Sequence, residues 1–133
     1  MNFLLDTNIC IYLMKNRPSS VARRLESLRV GDVAISSITL AELEHGIGVD
    51  PAVAPRRKEQ LEKLLSFIPA LDFDAVAAHC YGKLRAEAIH LGRNRFDTLI
   101  AAQAISLKLT LVTNNLRAFS GIDDLVLENW AEE

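Results

Sequence analysis

Apolar residues along the chain follow two rhythms. Short solid runs, Phe3–Leu5, Val33–Ser36, Leu109–Thr113 and Leu125–Leu127, read as buried strands. Phe67–Leu71 joins them as an edge strand at best, because Pro69 lacks the N–H that a central strand needs. Between the runs, apolar residues recur at helical spacing. This predicts helices over Ile9–Met14, over Val21–Leu28 behind Arg17-Pro18 with Ser19 or Ser20 as cap, and over Leu40–Ile47. Ser36, Ser37 and Thr39 are candidate caps for the last of these, and Gly46 and Gly48 mark its end.

Asp50–Arg57, with Pro51 and Pro55, reads as a loop before a charged helix over Arg56–Ser66. A long helix runs from Asp74 to about Leu91, striped by Val76, Cys80, Leu84, Ala88 and Leu91. After a loop over Gly92–Phe96, Asp97 opens a helix, LIAAQAISLKL, apolar nearly all round and so buried on several sides. A short turn through Phe119 follows the fourth strand. Strands alternating with helices predict an α/β fold: a parallel sheet covered on both faces, with right-handed crossovers. With no internal repeat and no linker-like stretch, residues 1–133 are expected to form a single domain.

Composition narrows the partners more than the fold. Half the residues are hydrophobic and 24% are charged, for a net charge of −2. That balance argues against holding nucleic acid by global charge, and leaves room for a local basic patch. Cys10 and Cys80 lie among apolar residues without metal or disulfide spacing, and are expected to be small core residues. His45, His79 and His90 are scattered without ligand spacing. No leader-like segment and no bilayer-length apolar run is present, so a soluble protein of a reducing cytosol is expected.

The candidate chemistry lies in the acids. Asp6 ends the first strand, Glu42 lies in the helix after the second, Asp97 starts the helix before the fourth, and Asn115 follows the fourth. If the first, second and fourth strands are neighbours, all four side chains converge at one sheet edge, where α/β proteins bind ligands. Acids held that close repel one another, and a hard divalent cation is the common reason for such a cluster. Each residue also has a plainer reading. Asp6 and Asp97 read as helix N-caps, a role compatible with ligation. Glu42 lies opposite the stripe of Leu40, Leu43 and Ile47 and reads as solvent-facing, and periodicity does not separate it from Glu44. Asp74 reads as a cap and Asp72 as an exposed loop residue. There is no Gly-rich phosphate loop, no GxSxG and no second Asp two residues after Asp6.

Taken together, LLDTNICIYL, SSITLAELEHG, RFDTLIAAQA, LVTNNLRAF and LENW resemble, in order and spacing and over essentially the whole chain, the VapC toxins, which are PIN-domain ribonucleases. The resemblance implies a three-layer α/β/α domain with a five-stranded parallel sheet in the order 3-2-1-4-5. It implies cleavage of transfer or ribosomal RNA dependent on Mg²⁺, with Mn²⁺ as an alternative. The implied partners are a small VapB antitoxin and a second copy of the chain. By motif, Asp6 and Asp97 match the metal-binding aspartates, and Glu42 in AELEHG matches the acidic helix residue, which selects it over Glu44. Asn115 falls where many relatives carry a fourth acid, and Thr113 matches a frequently shared hydroxyl.

The chain departs from the pattern twice. Asn115 is neutral, and the stretch GRNRFD over Gly92–Asp97 is about two residues shorter than the GxPIGxxD approach of many relatives. That loop instead carries Arg93 and Arg95, which with Lys83 and Arg85 are candidate phosphate contacts. Two other readings compete with the ribonuclease. One is a PIN-fold binding module that holds antitoxin or RNA without cutting. The other is a metal-dependent phosphohydrolase of small nucleotides.

Overall fold

The computed structural model describes residues 1–87 and 95–131. In chain order these form β1 (Phe3–Leu5), α1 (Thr7–Lys15), α2 (Ser19–Glu26), β2 (Val33–Ser36), α3 (Ser37–Gly48), α4 (Ala54–Leu65), β3 (Ala70–Leu71), α5 (Ala75–Glu87), α6 (Arg95–Leu107), β4 (Thr110–Val112), a 3₁₀ turn (Leu116–Phe119) and β5 (Leu127–Glu128). The strands make one parallel sheet in the order β3-β2-β1-β4-β5, as expected.

Both faces of the sheet are apolar, which is why its strands read as solid runs rather than alternating ones. Leu5, Val33, Ile35 and Val112 point to one face and pack with Ile9, Val21, Leu61 and Leu64 from α1, α2 and α4. Leu4, Ala34 and Leu111 point to the other and pack with Ile100, Ala101 and Ala104 of α6 and Leu84 of α5. Among the described residues α6 is the most enclosed helix: Thr98, Ile100, Ala101, Ala102, Gln103 and Ala104 are all buried. Gln103 Nε2 donates to the Leu71 and Asp72 carbonyls, tying α6 to the β3 edge.

Several element ends differ from the sequence reading, each for a local reason. α1 begins at Thr7 rather than Ile9, because Asp6 itself caps it. α2 begins at Ser19 behind Pro18, so Ser19 and Ser20 lie inside the helix instead of capping it. α4 begins at Ala54 within the expected loop, with Pro55 in the first turn, where its missing N–H is not needed. β3 is confined to Ala70–Leu71; Pro69 contributes only its carbonyl, which accepts from the Ile35 N–H at 2.9 Å. β5 is Leu127–Glu128 rather than Leu125–Leu127. Asp74 does cap α5, accepting from the Ala77 N–H at 2.9 Å. The end of that helix at about Leu91 and the loop residues 92–94 lie outside the described residues.

The closing segment folds back over the sheet. Trp130 is buried, and its ring meets Phe3 edge-on at 5.3 Å between centroids. Arg24 of α2 lies over both rings and pairs with Glu128 at 3.0 Å, while the indole N–H of Trp130 donates to the same carboxylate at 2.9 Å.

Candidate active site

The sheet register puts Leu5, Ile35 and Val112 level with one another. The next residues, Asp6, Ser36 and Thr113, therefore emerge together at the carboxyl edge of the three central strands. Asp6 is locked there: its N–H donates to the Val112 carbonyl at 3.0 Å, and one carboxylate oxygen accepts from the Ile9 N–H at 2.9 Å. It is thus the cap of α1 and, at the same time, a carboxylate at the sheet edge where the sequence reading placed a candidate site acid.

Asp6 is only 4% exposed. Burial, with smaller contributions from the charges of Asp97 and Glu42, pushes its carboxyl from 3.8 up to about 6, against the opposing hydrogen bonds from the Thr113 hydroxyl and the Ile9 amide. The mutual electrostatic influence puts Asp97 and Glu42 in the neighbourhood of Asp6. Asp97 reaches it from the first turn of α6, so it lies inside the helix that it was expected to open. Among the described residues, no three His, Cys, Asp or Glu side chains close on a single point as a ready-made metal cage.

Glu42 is a correction to the periodicity reading. It is half-buried rather than solvent-facing, because its side chain meets the start of α1. There Thr7 Oγ1 donates to Glu42 Oε1 at 2.6 Å, and the Thr7 oxygen lies 3.4 Å from Thr39 Oγ1. Sequence reasoning missed both threonines. The available signal was that Thr39 and Glu42 are three residues apart, hence on one helix face.

Asn115 follows β4 as expected, and its side chain is engaged locally. Its Oδ1 accepts from the Ala118 N–H at 3.3 Å, capping the 3₁₀ turn, and its own N–H donates to Thr113 Oγ1 at 3.0 Å. The adjacent Asn114 ties the end of β4 to α1 by donating to the Tyr12 hydroxyl at 2.8 Å. Among the basic candidates Arg95 and Lys83 are exposed and Arg85 is half-buried; Arg93 lies outside the described residues. His45 and His79 are exposed, and His90 also lies outside the described residues. Burial pushes the Cys10 thiol up, with a smaller contribution from the Asp6 charge, so it remains protonated as a core group.

The oxygen groups around Asp6 are carboxylates and a hydroxyl, a set suited to a hard divalent cation and not to a soft one. A buried carboxylate beside two more acids is also a group whose charged form a cation would stabilise. A cavity of about 670 Å³ lies elsewhere, between α1, α2 and α4, lined by residues including Met14, Leu25, Lys63 and Phe67 and by none of the three acids.

Residues 3–125 match the model of the PIN domain. The chain is 42% identical over 139 residues to "Ribonuclease VapC2" of Rickettsia felis, covering 98% of each protein. It is 42% identical over 134 residues to "tRNA(fMet)-specific endonuclease VapC" of Shigella flexneri, covering 98% of this chain and 99% of that one. The crystal structure of VapBC2 from Rickettsia felis bound to a DNA fragment from its promoter contains a chain that superposes with a TM-score of 0.89 at 40% identity, covering 98% of this chain and 99% of that one. With the strand order, the acid at the end of β1 and full-length similarity all in agreement, this chain belongs to the PIN-domain family and, within it, to the VapC ribonucleases.

Proposed function

We propose that the protein is the toxin of a type II toxin–antitoxin pair and a divalent-metal-dependent endoribonuclease. The observation that carries this reading is the buried Asp6 at the carboxyl edge of β1, with Glu42 and Asp97 close enough to raise its proton affinity. Asp6 and Asp97 are assigned as metal ligands and Glu42 as the third acid, with Asn115 assisting. Mg²⁺ is the favoured ion, with Mn²⁺ able to replace it; Mg²⁺ characteristically uses one or two carboxylates and keeps several waters, so it does not require a closed protein cage. When bound, such an ion polarises the scissile phosphodiester and lowers the pKa of an attacking water.

The chain's own residues set up that chemistry. Thr113 and the Ile9 amide hold Asp6 in one orientation, and Thr7 holds Glu42. Arg95, in the same helical turn as Asp97, with Lys83 and Arg85, supplies cationic contacts for the RNA backbone. Transfer RNA is the favoured substrate class, supported by similarity to the tRNA(fMet)-specific endonuclease of Shigella flexneri. A VapB-type antitoxin is the proposed partner, supported by the Rickettsia felis complex. Among the described residues no helix is long and apolar enough to cross a membrane, and a cytoplasmic, homodimeric protein is proposed.

Incubating the purified protein with total RNA and Mg²⁺ or Mn²⁺ tests the proposal. Discrete fragments that vanish with EDTA are expected. Retarded RNA without fragments would instead make the protein a binding module, and phosphate release from nucleotides alone would make it a phosphohydrolase.

A further inference from the structure

Glu42 is placed by a different means from Asp6. Asp6 is held by the ends of two strands and by the cap of α1. Glu42 projects from the middle of α3 on three rotatable bonds, and a free glutamate there would sample several rotamers. What restrains it in this structure is a hydroxyl from another element. Thr7 Oγ1, at the first residue of α1, donates to Glu42 Oε1 at 2.6 Å, a length typical of a hydroxyl donating to an ionised carboxylate.

A threonine hydroxyl has one proton, and here that proton is committed to Glu42. The Thr7 oxygen also lies 3.4 Å from Thr39 Oγ1, at the outer limit of a hydrogen bond. Thr39 is fully buried. The three oxygens, of Thr39, Thr7 and Glu42, form a run that spans α3 and α1 and ends on one oxygen of the carboxylate. Oε2 is not the atom engaged by Thr7.

We propose that Thr7 is a positioning residue for the metal centre: through its hydroxyl it fixes the Glu42 carboxylate, and Thr39 fixes Thr7 in turn. This rests on the assignment of Asp6, Glu42 and Asp97 as the metal-binding acids. Residues that orient metal ligands through a hydrogen bond typically alter metal affinity by roughly 10–100-fold when removed.

The test is binding of Mn²⁺ alone, by calorimetry, to the full chain without RNA. Thr7→Val keeps the branched shape and loses the donor; Thr7→Ser keeps the donor. Thr7→Val is expected to weaken Mn²⁺ binding roughly 10-fold, and Thr7→Ser to restore it to within about twofold of wild type. In a Glu42→Gln background the Thr7→Val change should have little further effect, since the group it positions is already altered. Thr39→Val, which leaves the Thr7–Glu42 bond itself intact, should give a smaller loss and serves if Thr7→Val fails to fold. Equal Mn²⁺ affinity in folded Thr7→Val and wild type, or an equal loss with and without Glu42, overturns the proposal while leaving the acid site standing. Mn²⁺ binding by the wild type that is indifferent to Asp6→Asn overturns both this inference and the assignment on which it rests.

Discussion

Asp6 shows in a single residue how function opposes stability. Its carboxyl is raised to about 6 in the fold against 3.8 unfolded, so the folded chain holds the proton more tightly. The stabilising contribution of the Asp6 proton in the metal-free protein is therefore fully present below about pH 4 and is lost as pH rises through 6, by on the order of 3 kcal/mol at the extreme. Asp6→Asn keeps the acceptor for the Ile9 N–H and never ionises. It should abolish RNA cleavage while stabilising the chelator-treated protein at pH 7.5 by one to about three kcal/mol, with the difference closing near pH 4. Urea unfolding at the two pH values reads this directly, and a variant less stable than wild type at both would contradict it. Asn115→Asp makes the opposite trade. The new carboxylate can keep the cap on Ala118 N–H and adds charge to the site. Mg²⁺ titration should show tighter binding at pH 7.5 and a smaller gain at pH 5.5, where Asp6 is largely protonated. Equal affinity at both would mean that Asn115 acts as a turn cap only.

At the scale of elements, α6 is the tightest fit. Ala101, Ala102 and Ala104 are fully buried, so small side chains let the helix lie close to its neighbours. Ala102→Leu is expected to destabilise by roughly 1–3 kcal/mol through overpacking. Thermal melting would check it, and an unchanged midpoint would mean that the surroundings give way freely. This helix was legible from the sequence because a run apolar on every side has few places to go. The strands were legible for the same reason, whereas their ends were not: Pro69 shortens β3 by supplying an acceptor and no donor, a decision taken between neighbours rather than along the chain. Asp6 could be found because strand ends are where carboxylates gather. Glu42 could not be placed by periodicity, because the helical stripe reports only which face meets the core. It is silent about a second face that meets α1 through Thr7. Motif resemblance found the residue, and the packing explains its burial.

At the scale of the whole molecule, a net charge of −2 has to coexist with an RNA substrate. Asp6, Glu42 and Asp97 influence one another's surroundings at the sheet edge, while Lys83 of α5 and Arg95 of α6 are exposed and available to phosphates. The same acid cluster is the natural point for inhibition. An antitoxin arginine placed there would meet carboxylates in bidentate geometry and exclude the metal. Replacing every arginine in the antitoxin's C-terminal segment should release RNA cleavage, measured on the purified complex; full inhibition by the replaced partner would rule this mode out. The closing segment has a practical consequence of its own. The chain contains one tryptophan, and its indole is wedged between Phe3, Arg24 and Glu128. Trp130 is therefore a built-in optical probe. Its emission should shift to the red when the carboxyl-terminal strap lifts from β1 and α2, and high salt, by screening the Arg24–Glu128 pair, should let that signal change ahead of global unfolding.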